Sequence, residues 1–213
     1  MNKTATLIIL SCLLFSLNVS AQKSRLGIKT GVNFAWQSRS MQGSERSPLV
    51  STHLTLFTEM RAFNNLFIQP GMSLQGKGVS TGTSMTEGTR GRVNMMYLEI
   101  PINILYKFAP SYLGRLVVGG GPYAGLGLNG KERNGSPNVF RGIAGTEGFG
   151  NTDFGVNLIA GTEISSRFSV SLQQSIGLDN VAPAGYMFPG AADEPYKADI
   201  KNRVSSVSIG YRF

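Results

Sequence analysis

His53 is the only histidine in this 213-residue chain, so any hydrolytic relay would have to be built around it. Such a relay needs a hydroxyl at one ring nitrogen and a carboxylate holding the other; Ser51 and Asp153 are the residues that could supply them. A lone histidine on a strand more often fills a polar face, and no catalytic residue is expected. Gly119-x-Gly121 lacks the following helix and acidic partner that would make it a phosphate cradle. The only cysteine, Cys12, lies in the leading segment, so the rest of the chain has no disulfide, thiol chemistry or cysteine metal site. Neither a cofactor nor a metal is expected. What remains is a set of ionised residues recurring on one face of alternating segments: Lys29, Glu59, Lys77, Glu99, Lys107, Glu163, Arg167 and Arg212. If that face is enclosed, these charges must be paired or hydrated, because an isolated buried ion is costly. A network involving Glu99, Lys107, Glu163 and Arg167 is predicted, with the structural role of filling the interior and fixing its shape.

The elements that would position these residues follow a period of two. Strands are predicted over about 25–36, 50–61, 65–77, 94–108, 115–129, 152–164, 167–178 and a last one ending at residue 213. Leu98, Ile100, Ile102, Ile104, Tyr106 and Phe108 alternate with Glu99, Pro101, Asn103 and Lys107 in the clearest of them. In the last, Val207, Ile209, Tyr211 and Phe213 alternate with Ser206, Ser208, Gly210 and Arg212. Pro70 removes a ladder donor, and a bulge or bend is expected there. The fold predicted is all-β, an eight-stranded antiparallel up-and-down barrel.

Alternation alone does not say which face points outward, and a soluble ligand-binding barrel would bury the apolar one. Three features favour lipid outside, making the barrel transmembrane. The connections 37–49, 78–93, 130–151 and 179–200 are long and polar, whereas 62–64, 109–114 and 165–166 are short. Phe63, Phe67, Tyr106, Phe108, Tyr112, Phe168, Tyr211 and Phe213 gather near the short turns, as an interfacial girdle would, with Trp36 at the opposite rim. The chain ends on an aromatic closing a strand, so Val207, Ile209, Tyr211 and Phe213 are expected to be read by the barrel assembly machinery of the outer membrane. Lys3, the apolar run from Leu7 to Leu17 and Val19-Ser20-Ala21 have the three zones of a secretory signal peptide. The division expected is therefore 1–21 signal peptide and 22–213 barrel, with both termini periplasmic. Charged residues make up only 15% of the chain and glycines number 27. With no apolar run long enough for a spanning helix after the signal, a membrane form must be closed β-structure.

Tyr97-Leu98-Glu99-Ile100-Pro101-Ile102-Asn103 resembles the signature of the small outer-membrane β-barrel family widespread in Bacteroidota, porin-like or PorT-like. Gly27-x-Lys29-x-Gly31, Gln69-Pro70, Gly120-Gly121-Pro122-Tyr123, Asp153-Phe154-Gly155 and the final Tyr-Arg-Phe agree with it. The resemblance implies fold and location. Some members are linked to protein secretion across the outer membrane. Glu59 stands where the family usually has an acid, while Arg61-Ala62-Phe63 departs from its commoner tyrosine-containing turn.

The formal charge of +8 could suit nucleic acid, but secretion directs it toward lipid phosphates and surface sugar acids instead. The function expected is a structural or interaction role through long extracellular loops. The partners expected are outer-membrane lipid and lipopolysaccharide, the assembly machinery, and envelope or secretion-system proteins. Two alternatives are a narrow channel for small solutes or ions, and a lipid-modifying envelope enzyme.

Overall fold

A computed structural model describes residues 24–39, 46–81, 92–112, 114–132, 140, 150–181 and 200–213. The expected signal peptide, with Cys12, lies outside the described residues. The strands are β1 Arg25–Arg39, β2 Arg46–Ser47, β3 Leu49–Phe63, β4 Leu66–Thr81, β5 Arg92–Ser111, β6 Gly114–Glu132, β7 Thr152–Glu163, β8 Phe168–Gly177 and β9 Ile200–Arg212. Each long strand pairs antiparallel with the long strands before and after it, and β1 pairs with β9 from Gly27↔Arg212 to Arg39↔Ile200. The eight long strands thus close into a ring with no free edge, the one sheet arrangement that leaves no strand-edge backbone group unpaired in hydrocarbon. The two-residue β2, which alternation did not reveal, pairs with the end of β4.

The two faces are inverted relative to a soluble protein. Leu26, Leu56, Ile100, Leu158 and Ile209 point out and are exposed, Leu158 at 57% and Ile209 at 62%, while Asn33, Lys77, Glu99, Asp153 and Asn202 are buried. In water that arrangement would expose apolar surface and enclose ions. With lipid outside, both faces meet a compatible medium.

Pro70 does not produce the expected bulge. The register Phe57↔Gly71 continues in step to Met60↔Ile68 on one side, and Pro70↔Ile102 continues to Ser73↔Glu99 on the other. The pairing with β3 skips the rungs at Gln69 and Pro70 without inserting a residue. The irregularities fall instead at Arg61/Phe63, Met96/Tyr97 and Lys107/Pro110.

The glycines of β6 are explained by packing. A Cβ on Gly119 would stand 2.1 Å from the Ile104 carbonyl oxygen, and one on Gly121 2.0 Å from that of Ile102. They let β5 and β6 approach, which removes any need to read them as a nucleotide loop.

Short connections join β3–β4, β5–β6 and β7–β8, and long ones join β1–β3, β4–β5, β6–β7 and β8–β9. Phe63, Phe108, Tyr112, Phe168 and Phe213 are exposed around the short-turn end. Phe67 leaves the expected girdle: it is partly buried against Leu105, Val117 and Ile159 inside the barrel.

Candidate functional site

The enclosed face brings most of the predicted charged residues into two separate clusters. At the short-turn end, Lys107 of β5 places Nζ 2.5 Å from Glu59 Oε1 of β3 and also pairs with Glu163 of β7. Arg212 of β9 pairs with Glu163, and its Nη1 lies 3.5 Å from Glu59 Oε1. Each carboxylate therefore meets both cations. Gln69 Nε2 donates to Glu59 Oε2 at 3.5 Å, and Lys107 Nζ stands 4.3 Å from the centre of the Phe67 ring. Alternation puts Phe67 on the enclosed face with Gln69, where the face of its ring lies against the ammonium.

Toward the long-connection end, Lys77 of β4 lies between two acids. Its Nζ is 2.5 Å from Glu99 Oε1 of β5 and 2.7 Å from Asp153 Oδ2 of β7. Asn202 Nδ2 donates to Asp153 Oδ2 at 3.0 Å, and Lys77 Nζ reaches the Tyr123 hydroxyl at 3.4 Å. The same ammonium stands 4.5 Å from the Tyr123 ring centre and 5.3 Å from that of Tyr97, which is 0% exposed. Phe140 from the β6–β7 connection packs edge-on against Tyr97. The signature around strand β5 thus has two jobs: Leu98, Ile100 and Ile102 face outward, while Tyr97 and Glu99 build this cluster.

A neutral belt separates the two. Asn33 Nδ2 donates to Gln75 Oε1 at 2.8 Å and to the Gly76 carbonyl at 3.0 Å, which fixes its oxygen toward Ser206 Oγ and His53 Nδ1, both at 2.7 Å. An amide oxygen only accepts, so Nδ1 carries the imidazole proton and Nε2 accepts from Ser208 Oγ at 3.0 Å. Serine, imidazole and amide therefore do form a chain, but through Ser208 and Asn33. Ser51 donates instead to the Gly76 carbonyl, and Asp153 is held by Lys77. Ser208, His53 and Asn33 are all buried.

Lys29 is buried in the lumen with its Nζ 5.6 Å from the Phe57 ring centre. It borders a void of about 40 Å³ shared with Glu59, Glu163 and Arg212, and a second void above it measures about 10 Å³. Such spaces hold a few waters at most.

Arg167 is not in the lumen. Ser165 Oγ accepts the backbone N–H of Arg167 at 3.2 Å and of Phe168 at 3.0 Å, making a turn that separates β7 from β8. The exposed Arg167 side chain reaches the Tyr211 hydroxyl at 3.5 Å. Of the four residues predicted to share one network, Lys107 and Glu163 meet, Glu99 belongs to the other cluster, and Arg167 to neither. Lys77 and Asp153 complete the picture. Val207, Ile209 and Phe213 are exposed on the outward face of the β9 end and Tyr211 is half-buried there. Among the described residues, no three His, Cys, Asp or Glu side chains gather as a metal site.

The profile of the family described as outer membrane protein beta-barrel domain matches residues 20–182. No curated protein matches in sequence. Among solved structures, the chain is similar to the outer membrane protein OprG from Pseudomonas aeruginosa, with 12% identity, 90% of this chain and 97% of that one covered, and a TM-score of 0.49. It is also similar to the E. coli outer membrane protein W, with 17% identity, 91% and 100% covered, and a TM-score of 0.43. For the Neisserial surface protein A the values are 9%, 88% and 97%, and 0.47.

Proposed function

The chain belongs to the outer membrane protein β-barrel domain family, integral to the bacterial outer membrane, and we propose that it acts there as a structural and interaction protein whose contacts are made by its long connections. The observation that carries this reading is the filled lumen. Ion pairs and a hydrogen-bonded belt occupy the interior, and the voids beside Lys29 measure about 40 and 10 Å³. An interior this full leaves recognition to the end of the barrel where the connections are long. That end faces the outside of the cell in this reading, and both termini face the periplasm. Residues 1–21 serve as the signal peptide, and the outward residues Val207, Ile209, Tyr211 and Phe213 of the last strand are presented to the assembly machinery. The β5 signature supports membership of the porin-like, PorT-like branch found in Bacteroidota. Envelope or secretion-system proteins and lipopolysaccharide are the partners such loops would meet.

Trypsin treatment of intact cells tests the orientation. Cleavage is expected at the long-connection end, at Arg90 between β4 and β5 or at the strand-end residues Arg39, Arg46 or Lys131, with Arg61 and Arg115 at the opposite end protected; the reverse pattern would refute it. The filled lumen weighs against a conducting pore, so planar bilayers holding the folded protein should stay silent. The burial of Ser208 and His53 weighs against hydrolysis, and cells carrying His53→Ala should keep their membrane lipid composition.

A further inference from the structure

We propose that the outer wall of the barrel at the long-connection end binds the phosphate of a phosphorylated glycolipid in the surrounding leaflet, an inference that rests on the reading that this end faces out of the cell. Charge distribution is the first observation. In the lumen, the cations Lys29, Lys77, Lys107 and Arg212 are matched in number by the carboxylates Glu59, Glu99, Asp153 and Glu163. The positive excess of the described residues therefore lies outside it. At the long-connection end it comprises Lys131, Lys201 and Arg203, with Trp36 paired across from Arg203. Asp179 is the one carboxylate there among the described side chains outside the lumen, and it is engaged by Thr152 and by the Asn180 backbone N–H.

A hollow provides the second observation. About 400 Å³ of space is bounded by Ser51, Thr52, Asn94, Met96, Asn129 and Lys131. Lys131 pairs directly with Asn94 across the β5–β6 ladder, and Met96 pairs with Asn129. This places an ammonium and two amides around the opening and a thioether just below them.

Height along the wall is the third. The outward residues of β5 run from Phe108 through Ile104, Ile102 and Ile100 to Met96, all exposed, and turn polar at Asn94. With about 3.3 Å per residue and a tilt near 40°, Asn94 stands about 35 Å above Phe108, roughly 10 Å beyond an apolar band about 25 Å tall. Met96, about 30 Å above Phe108, stands about 5 Å past the band's edge, and Lys131, paired with Asn94, lies at the height of head groups. A phosphate at that height gains an ion pair with Lys131 and amide hydrogen bonds. The Thr52 hydroxyl, on the outward face of β3, and the amides beyond those needed for phosphate match the hydroxyls of a sugar, which distinguishes a glycolipid from a simple phosphodiester.

The test uses the full-length protein folded in detergent micelles, titrated with diphosphorylated lipid A, its dephosphorylated form, phosphatidylglycerol or inorganic phosphate, and followed by native mass spectrometry. The diphosphorylated glycolipid should bind, and removing its phosphates or introducing Lys131→Gln should weaken binding at least about tenfold, which is about 1.4 kcal/mol. Asn129→Leu should weaken it less, and Arg115→Gln, at the opposite end, should leave it unchanged. The heat-dependent gel shift of a folded barrel confirms that each variant is intact. Wild-type affinity in folded Lys131→Gln would overturn the site, as would equal binding of phosphatidylglycerol or of inorganic phosphate. A reversed trypsin pattern on cells would instead overturn the orientation while leaving binding in micelles intact, so the two failures are told apart.

Discussion

The two charged clusters of the lumen differ in how they are balanced. At the short-turn end, two cations face two carboxylates, and Glu59 and Glu163 each meet both Lys107 and Arg212. Nearer the long connections, Lys77 alone serves both Glu99 and Asp153. Neutral donors make up the difference, with Asn202 donating to Asp153 and Tyr123 standing beside the ammonium. One cluster is redundant and the other hangs on a single side chain. Because breaking a buried pair costs more than the pair contributes, the sensitivity of the barrel to substitution should follow redundancy and not the number of contacts.

The largest effect is therefore expected at Lys77. Lys77→Met leaves two carboxylates enclosed with no cation, and should cost about 3–5 kcal/mol or prevent folding altogether. Urea unfolding in micelles, read from Trp36 fluorescence and gel mobility, measures it. Lys107→Met comes next, at about 2 kcal/mol, because Arg212 still reaches both acids. Adding Arg212→Met should then cost more than the two single losses together, since each cation covers for the other. Equal losses for Lys77→Met and Lys107→Met would dissolve the distinction. Asp153→Asn should cost only about 1 kcal/mol or less: the amide oxygen can still accept from Lys77 and Asn202, and the cluster becomes one cation facing one carboxylate. A loss as large as that of Lys77→Met would show that the surplus negative charge, not the lone cation, is what the cluster depends on.

The contrast between the clusters also marks how far the sequence could be read. Alternation gives the face of a residue, and it placed Lys29, Glu59, Lys77, Glu99, Lys107, Glu163 and Arg212 inside. Height is a different quantity, set by the stagger between strands far apart in the chain. Glu99 and Lys107 share one strand and one face, yet they belong to clusters on either side of the belt. Likewise Asp153, on the enclosed face of β7, could be weighed as a partner for His53 until the stagger set it against Lys77. The imidazole took Asn33 from the neighbouring strand β1 and Ser208 from β9, which joins it only because the barrel closes. Phe67 was assigned to the girdle by its distance from a turn, although its alternation with Leu66 and Ile68 puts it on the enclosed face, where its ring meets the Lys107 ammonium.

The smallest effect is expected at Arg167, where counting by twos began a strand one residue early: β8 starts at Phe168. The Ser165 hydroxyl takes the backbone donors of Arg167 and Phe168, so the turn expected at 165–166 extends through Arg167. An arginine left in the lumen at that point would have been a third cation for Glu59 and Glu163; instead it is exposed at the rim, touching Tyr211. Arg167→Gln should therefore stay within about 0.5 kcal/mol of the parent in the same urea titration, as surface changes usually do. Ser165→Ala should cost more, about 1 kcal/mol, because it leaves two turn donors without their acceptor. If Arg167→Gln proved the more damaging of the two, the arginine would have to reach the carboxylates after all, and the short-turn cluster would be more redundant than two cations make it.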